Sequence, residues 1–493
     1  MSSTDQPSNE SEPSPSPPPF STGVTVLCTV LLALVGIFFL SVSAQGGSPL
    51  GMLGQPMPLA ARYFDRELEL ADASPNAVPW ASLLKRLFFS PTTDLLDEAH
   101  QELRSVLEAH ERGEIHGAPP EVLRIEGRLM LVLAEAGKRD LLKARLDRLA
   151  ARGPDGERLA AMVRFAYGLS DERPTAGEVE AMLVLLREEG RPDPTWASDR
   201  LASRVLRRLG NEPDARAAEE RILERGARAL TRALWFSGGF VALMLVGLTL
   251  GALRLKSREP LPRLSSGVGP APWSYAEGYD LTVRSGAFGL VAVLVYSTLL
   301  GVLAADAFPM GLPFTTLVGS LPMLYYLTRW VPAVHGTRLV ELFGLRLEAP
   351  VTALLVATLV LIGLEQLPGM GVNLLSQQPW YEGVLEGAMF GGPLEVVMLF
   401  VDAVIWAPLF EEIACRGLLY TSLRTRFDPW KSALVSAALF TLPHMYSPLV
   451  ALGLFLGAVA SAVIYERTRS LLPCILAHAV NNALVFGALL VYR

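Results

Sequence analysis

Ala407-Pro408-Leu409-Phe410-Glu411-Glu412-Ile413-Ala414-Cys415-Arg416 decides the fold, because two carboxylates and a guanidinium stand inside sequence that otherwise has membrane-helix composition. A charged side chain at the bilayer centre costs about 2.5–3.5 kcal/mol on insertion scales, so such groups need partners. Partners follow in the chain. Phe440-Thr441-Leu442-Pro443-His444 and His478-Ala479-Val480-Asn481-Asn482 lie in further apolar runs. The physical reading is a polar pocket enclosed by a helix bundle, in which these groups pair and do chemistry.

Outward from this stretch, composition agrees. The 493 residues are 51% hydrophobic and 19% charged, against roughly 25% charged in soluble domains, and mean hydropathy is +0.34. Arg, Glu and Asp crowd between about Arg62 and Arg232, flanked by long apolar runs, which implies one aqueous domain joined to one membrane domain. With a net charge of −6, nothing suggests nucleic acid as a partner. Cys28, Cys415 and Cys474 all sit in apolar segments, so neither a disulfide framework nor a zinc ligand set is indicated. Cys415 reads as a small buried hydrophobe rather than a nucleophile.

Residues 1–22, rich in Ser, Pro and Glu, read as a disordered tail. Gly23–Ala44 is long enough to cross a bilayer. Val42-Ser43-Ala44 looks like a signal-cleavage site, but the apolar core exceeds a signal peptide's and no Lys or Arg precedes it, so an uncleaved anchor is expected over 23–44. From 45 to 229, apolar residues at three and four spacing predict helices over Asp97–His110, Pro120–Ala136, Asp140–Arg152, Gly156–Leu169, Ala176–Glu189 and Thr195–Leu209. Breaks such as Arg152-Gly153-Pro154-Asp155-Gly156 separate them. Such helix pairs resemble a tetratricopeptide-like solenoid, without its roughly 34-residue signature. His100, His110 and His116 read as solvated surface histidines.

Further spans are expected at Leu234–Leu253, Gly286–Ala304, Leu312–Leu327, Val351–Leu367, Leu394–Phe410 (helical on to Leu423), Ser432–Met445, Leu449–Tyr465 and Leu471–Val491, with an interfacial helix at Leu339–Leu347. Basic loops alternate with bare ones: Arg254, Lys256, Arg258 and Arg263; then Arg329, Arg338 and Arg346; then Arg424, Arg426 and Lys431; then Arg467 and Arg469. The positive-inside rule puts these loops and the N-terminus in the cytoplasm and the helical domain outside, in a multi-pass plasma (inner) membrane protein. The expected fold class is thus all-α: a polytopic membrane helix bundle with an inserted extramembrane helical domain. Its units are the tail, the anchor, the extracytoplasmic domain at 45–229, a transmembrane helix at 230–256 and a multi-span domain at 280–493.

On a helix, residues four apart share a face. Arg416 can therefore neutralise and orient Glu412, leaving Glu411, about 100° round the helix, free to point elsewhere. Phe440 and His444 share a face, as do His478 and Asn482. A carboxylate and an imidazole sharing a water can activate it, worth about 10²–10⁴-fold. A His and an Asn presenting donors can hold an oxyanion. Pro408 and Pro443 are placed to kink the helices and open a cavity.

Glu-Glu-x-x-x-Arg, Phe-x-x-x-His and His-x-x-x-Asn, in this order, resemble the CAAX protease and bacteriocin-processing family of intramembrane glutamate endopeptidases. The likeness runs from about Tyr325 to Val491, and the helical domain has no counterpart in it. The resemblance implies Glu411 as general base, His444 as its partner on the water, His478 and Asn482 as the oxyanion pair, and Glu412, Arg416 and Phe440 in support. It implies no cofactor and no metal. The partners expected are a peptide or membrane-protein substrate and the lipid bilayer, with the helical domain open to a protein partner.

Rival readings are a structural ion-pair network, a non-catalytic receptor or immunity-type binding protein, and a transporter. Two His and one Glu also make a catalytic zinc set, although here no His-Glu-x-x-His lies on one helix. Chelator-resistant activity separates that reading. The sequence leaves the substrate open among prenylated CAAX peptides, leader peptides and other membrane proteins.

Overall fold

The computed structural model describes residues 20–44, 56–73, 95–113, 118–187, 194–265, 271–303, 314–376, 392–444, 446 and 448–490. Among them there is no strand, and the chain is an all-α polytopic bundle. Most of the expected tail, residues 1–19, lies outside the described residues, as does His116.

After α1 (Thr22–Ala44) and α2 (Pro56–Ala73), the helical domain comprises α3 (Leu95–Glu111), α4 (Pro119–Glu135), α5 (Arg139–Ala150), α6 (Pro154–Ala166), α7 (Ala176–Leu186) and α8 (Trp196–Arg208). Four of these starts have a local cause. Pro opens α4 and α6, while Thr175 and Thr195 cap α7 and α8 by accepting backbone N–H groups of Glu178 and Ser198. The expected hairpins are present, but a solenoid, in which each repeat touches only its neighbours, is not what they build. Helix α4 packs against α2, α3, α5, α6, α7 and α8 and buries an unbroken run from Val122 to Leu133 except Arg124. A helix buried nearly all round, Glu126 and Arg128 included, has to be a centre rather than a rung.

Helix α9 (Glu212–Ser257) runs 46 residues, about 69 Å at the α-helical rise. The domain boundary expected at 229/230 falls inside it, since Gly226, Gly238 and Gly239 are all accommodated without a turn. Its first half belongs to the helical domain. Arg225 Nε lies 2.6 Å from Glu69 Oε1 on α2 and its Nη1 2.7 Å from Asp199 Oδ2 on α8. Its second half has the length and composition of a membrane span.

The membrane part continues as α10 (Tyr275–Leu303), α11 (315–335), α12 (Leu339–Leu342), α13 (Val351–Ser376), α14 (Pro393–Arg424), α15 (429–444), α16 (Pro448–Thr468) and α17 (Leu472–Leu489). Among the described residues, five helices are long and apolar enough to cross a membrane: α9, α10, α13, α14 and α16. The protein is a multi-pass membrane protein. Of the other expected spans, those at the two ends are the shorter apolar helices Thr22–Phe38 and Leu472–Gly487 within α1 and α17. Leu312–Leu327 and Ser432–Met445 fall largely on α11 and α15.

The expected interfacial helix at 339–347 is a single turn. Gly344, at φ +60°, ends it, with a position for Cβ only 2.2 Å from the Arg469 carbonyl, and Phe343 is fully buried against Gly417. Glycines also set the crossing of α9 on α13. A Cβ on Gly247 would stand 1.9 Å from the Leu359 carbonyl, and one on Gly363 would stand 2.7 Å from the Leu248 nitrogen. Small residues of this kind let membrane helices touch backbone to backbone.

Helix α1 is docked rather than peripheral. Arg284 on α10 donates to Thr25 Oγ1 (3.0 Å) and the Ser21 carbonyl (2.7 Å) and stacks on Phe20, while Cys28 is buried against Val283 and Ala287.

Candidate active site

All the residues the three motifs single out line one cavity of about 450 Å³. Helix α14 supplies Glu411, Glu412 and Arg416; α15 supplies Phe440 and His444; α17 supplies His478 and Asn482.

The i, i+4 pair forms as expected: Arg416 Nη1 lies 3.0 Å from Glu412 Oε1, and both side chains are buried. Arg416 also stacks over Phe440, 4.5 Å from the ring centroid, which gives that Phe its place in the pattern. Glu412 is held further by Ser461 Oγ (3.3 Å) and by His478 Nδ1 (3.0 Å). Glu411, by contrast, keeps 35% of its side chain exposed to the cavity, with His478 Nε2 at 3.8 Å. One imidazole thus stands between two carboxylates.

At the end of α15, His444 closes a 3₁₀ turn that includes Pro443. Its Nδ1 lies 2.9 Å from the Phe440 carbonyl. A carbonyl only accepts, so Nδ1 carries the hydrogen and Nε2 is left with the lone pair in the neutral ring. The ring packs on Phe440 and Tyr446.

Asn482 is placed by a distortion of α14. Residues Val401–Trp406 are wound as a π-turn, in which the Ala407 N–H bonds the Asp402 carbonyl. The next residue, Pro408, has no N–H to continue that register, so the Ala403 carbonyl needs another donor. Asn482 Nδ2 supplies it at 2.7 Å. Pro408 therefore acts through a widened turn. The same device recurs before Pro332, where the Val331 N–H bonds the Tyr326 carbonyl.

Sequence reasoning missed a second polar group in the cavity. On α13, Glu365 accepts from Asn481 Nδ2, and Asn481 in turn accepts from Gln366 Nε2. An intramembrane carboxylate at Glu365 carries the same signal that drew attention to Glu411, but it stands near the end of its apolar run and belongs to no motif. Asp402, which accepts from Thr316 Oγ1 at 3.2 Å, is a further missed lining residue. Among the described residues, no three His, Cys, Asp or Glu side chains are grouped so as to hold one metal ion.

Residues 393–484 match the family model described as type II CAAX prenyl endopeptidase, Rce1-like. The chain carries an Rce1-like domain of the CAAX protease family. This Rce1-like domain contains every motif residue from Glu411 to Asn482, whereas Glu365, α1 and the helical domain lie outside it. No curated protein and no solved structure matches the chain.

Proposed function

We propose that the Rce1-like domain is an intramembrane endopeptidase that hydrolyses a peptide bond of a membrane-associated protein or peptide with a water activated by Glu411. The observation that carries this reading is the asymmetry of the two adjacent carboxylates. Glu412 is fully committed to Arg416, Ser461 and His478, while Glu411 faces the cavity with its lone pairs available. Glu411 takes a proton from the water, and His444 Nε2 holds the same water on its other side. The resulting hydroxide adds to the scissile carbonyl. His478 Nε2, when protonated, and the second N–H of the Asn482 amide are the donors for the oxyanion. Collapse of the tetrahedral intermediate breaks the C–N bond, and the proton held by Glu411 passes to the leaving amine.

In this reading Glu412 orients His478, and Arg416 neutralises Glu412. The N-terminus and basic loops are cytoplasmic, and the helical domain is extracytoplasmic, where it is available to a protein partner. The test is substitution in the full chain. Glu411→Ala and His444→Ala each abolish cleavage of the cellular substrate while expression and membrane insertion stay at wild-type level. A double variant that still performs the cellular task rules the hydrolase out and favours a non-catalytic receptor or immunity-type role.

A further inference from the structure

Helix α17 carries three polar residues on one stripe, and they are held by two different helices. At roughly 100° per residue, Asn481 stands about 60° to one side of His478 on the helix surface and Asn482 about 40° to the other. All three line the cavity. On α14, Glu412 Oε1 lies 3.0 Å from His478 Nδ1, and the Ala403 carbonyl accepts from Asn482 Nδ2 at 2.7 Å. Asn481 reaches instead to α13. Its Nδ2 donates to Glu365 and its Oδ1 accepts from Gln366 Nε2, so both ends of the amide are engaged by consecutive residues of one helix.

Glu365 is itself held in place. Two residues before it, a Cβ on Gly363 would stand 2.7 Å from the Leu248 nitrogen of α9. On its other neighbour, α16, a Cβ on Gly457 would stand 3.5 Å from Glu365 Cγ and 3.7 Å from its Cα, an ordinary packing contact. One turn further along α16, Ser461 Oγ donates to Glu412. Among the described residues no Lys or Arg forms an ion pair with Glu365, and its bonded partner is the Asn481 amide.

We propose that Glu365 and Gln366 are positioning residues for the reaction: through Asn481 they set the rotation of α17, and with it the points at which His478 and Asn482 present their donors. This rests on the endopeptidase reading. A side-chain tip lies about 6 Å from the helix axis, so a turn of roughly 10° moves it by about 1 Å. A misplacement of that size can cost about 10²-fold in rate. The contacts to α14 hold His478 and Asn482, and the clamp on Asn481 holds the remaining side of the stripe. Glu365 serves here as a hydrogen-bond acceptor and not as a charge. Both clamp residues precede the Rce1-like domain at 393–484, so the helix before that domain sets the geometry of its site.

The test uses the full chain in membranes, with the cell's own membrane proteins as the probe. The readout is the initial rate, per molecule of folded and inserted protein, at which chains left uncut by Glu411→Gln are cleaved. Glu365→Ala and Asn481→Ala are each expected to slow cleavage about 10²-fold. The double variant is expected to be no slower than either alone. Glu365→Gln keeps a carbonyl oxygen for Asn481 and is expected to recover the wild-type rate. Gln366→Met removes only the donor and is expected to slow cleavage about tenfold or more. Glu365→Gln as slow as Glu365→Ala, additive losses in the double variant, or an unchanged rate in Gln366→Met overturns the inference. A second measurement needs no cleavage: the drops in unfolding temperature of Glu365→Ala and Asn481→Ala in one detergent are expected not to add in the double variant. Additive drops overturn the clamp even if the endopeptidase reading stands. Cleavage retained by Glu411→Ala would instead remove that reading and leave the clamp to the unfolding result.

Discussion

His478 Nδ1 lies 3.0 Å from Glu412 Oε1, and this contact ties the last motif of the sequence to the first across the floor of a membrane cavity. It has an energetic consequence. Glu412 is the counter-charge for Arg416, which is 3% exposed. Breaking a buried pair by removing one partner leaves an uncompensated charge and costs about 3–5 kcal/mol. Glu412→Ala is therefore expected to lower thermal stability of the full chain in detergent by that amount, whereas Glu411→Ala, at a half-exposed position, changes it by about 0.5 kcal/mol or less. Equal destabilisation by both would show that the two carboxylates are not divided into a buried and a cavity-facing role.

In the proposed mechanism Asn482 has two jobs: one N–H satisfies the Ala403 carbonyl and the other reaches the oxyanion. Asn482→Ala is expected to reduce kcat by about 10²–10³-fold. The orphaned carbonyl adds about 1–3 kcal/mol of destabilisation. Single-turnover kinetics and a melting curve on one preparation separate the two effects. Loss of stability with unchanged kcat would confine Asn482 to holding the π-turn.

The crossing of α9 on α13 predicts a contrast between two glycines one turn apart. A Cβ at Gly247 collides with the Leu359 carbonyl at 1.9 Å, while one at Gly251 meets Val360 at an ordinary 3.7 Å. Gly247→Ala should destabilise the bundle by about 1–3 kcal/mol or more, and Gly251→Ala should be tolerated. The measurement is the unfolding temperature of each variant in the same detergent, and similar values for both would refute the backbone-to-backbone crossing.

In the helical domain, burial pushes the Glu135 carboxyl up, but hydrogen bonds from Arg204 and Tyr167 and the charge of Arg200 outweigh it and hold it below its ordinary 4.5. A depressed carboxyl stabilises the fold above its unfolded value and loses that contribution as pH falls through the folded one. Glu135→Gln is expected to flatten the acid limb of stability below about pH 4.5 and to leave its shape above that unchanged. Melting curves of wild type and variant from neutral to acid pH check this. An unaltered acid limb would count against it.

Much of the architecture could be read from residue pattern, because local rules dominate where helices are short. The starts expected for α4 to α8 fall within two residues of those observed, as do the ends of α4, α5 and α8, whereas α6 and α7 stop three residues earlier than expected. The i, i+4 spacing of Glu412 and Arg416 likewise foretold their pairing. What escaped depends on contacts distant in sequence. Nothing in the run from Leu230 to Leu255 reveals that α9 is continuous with the helical domain, because continuity is the absence of a signal. Glu365 and Asn481 meet only once α13 and α17 pack. The π-turn at 401–406 follows from Pro408 only when Asn482 is at hand to satisfy the freed carbonyl. Arg284 stands just before the expected Gly286–Ala304 span, and its partner Thr25 on α1 lies more than two hundred residues away.

In the proposed mechanism Glu411 activates water on a peptide bond inside this cavity. The most direct measurement is quantitative proteomics of membranes carrying wild type or Glu411→Gln at matched expression. The account predicts a peptide or protein that accumulates uncut with Glu411→Gln and is converted to two fragments by wild type. Identical fragment patterns in the two membranes, with both proteins folded and inserted, would contradict it.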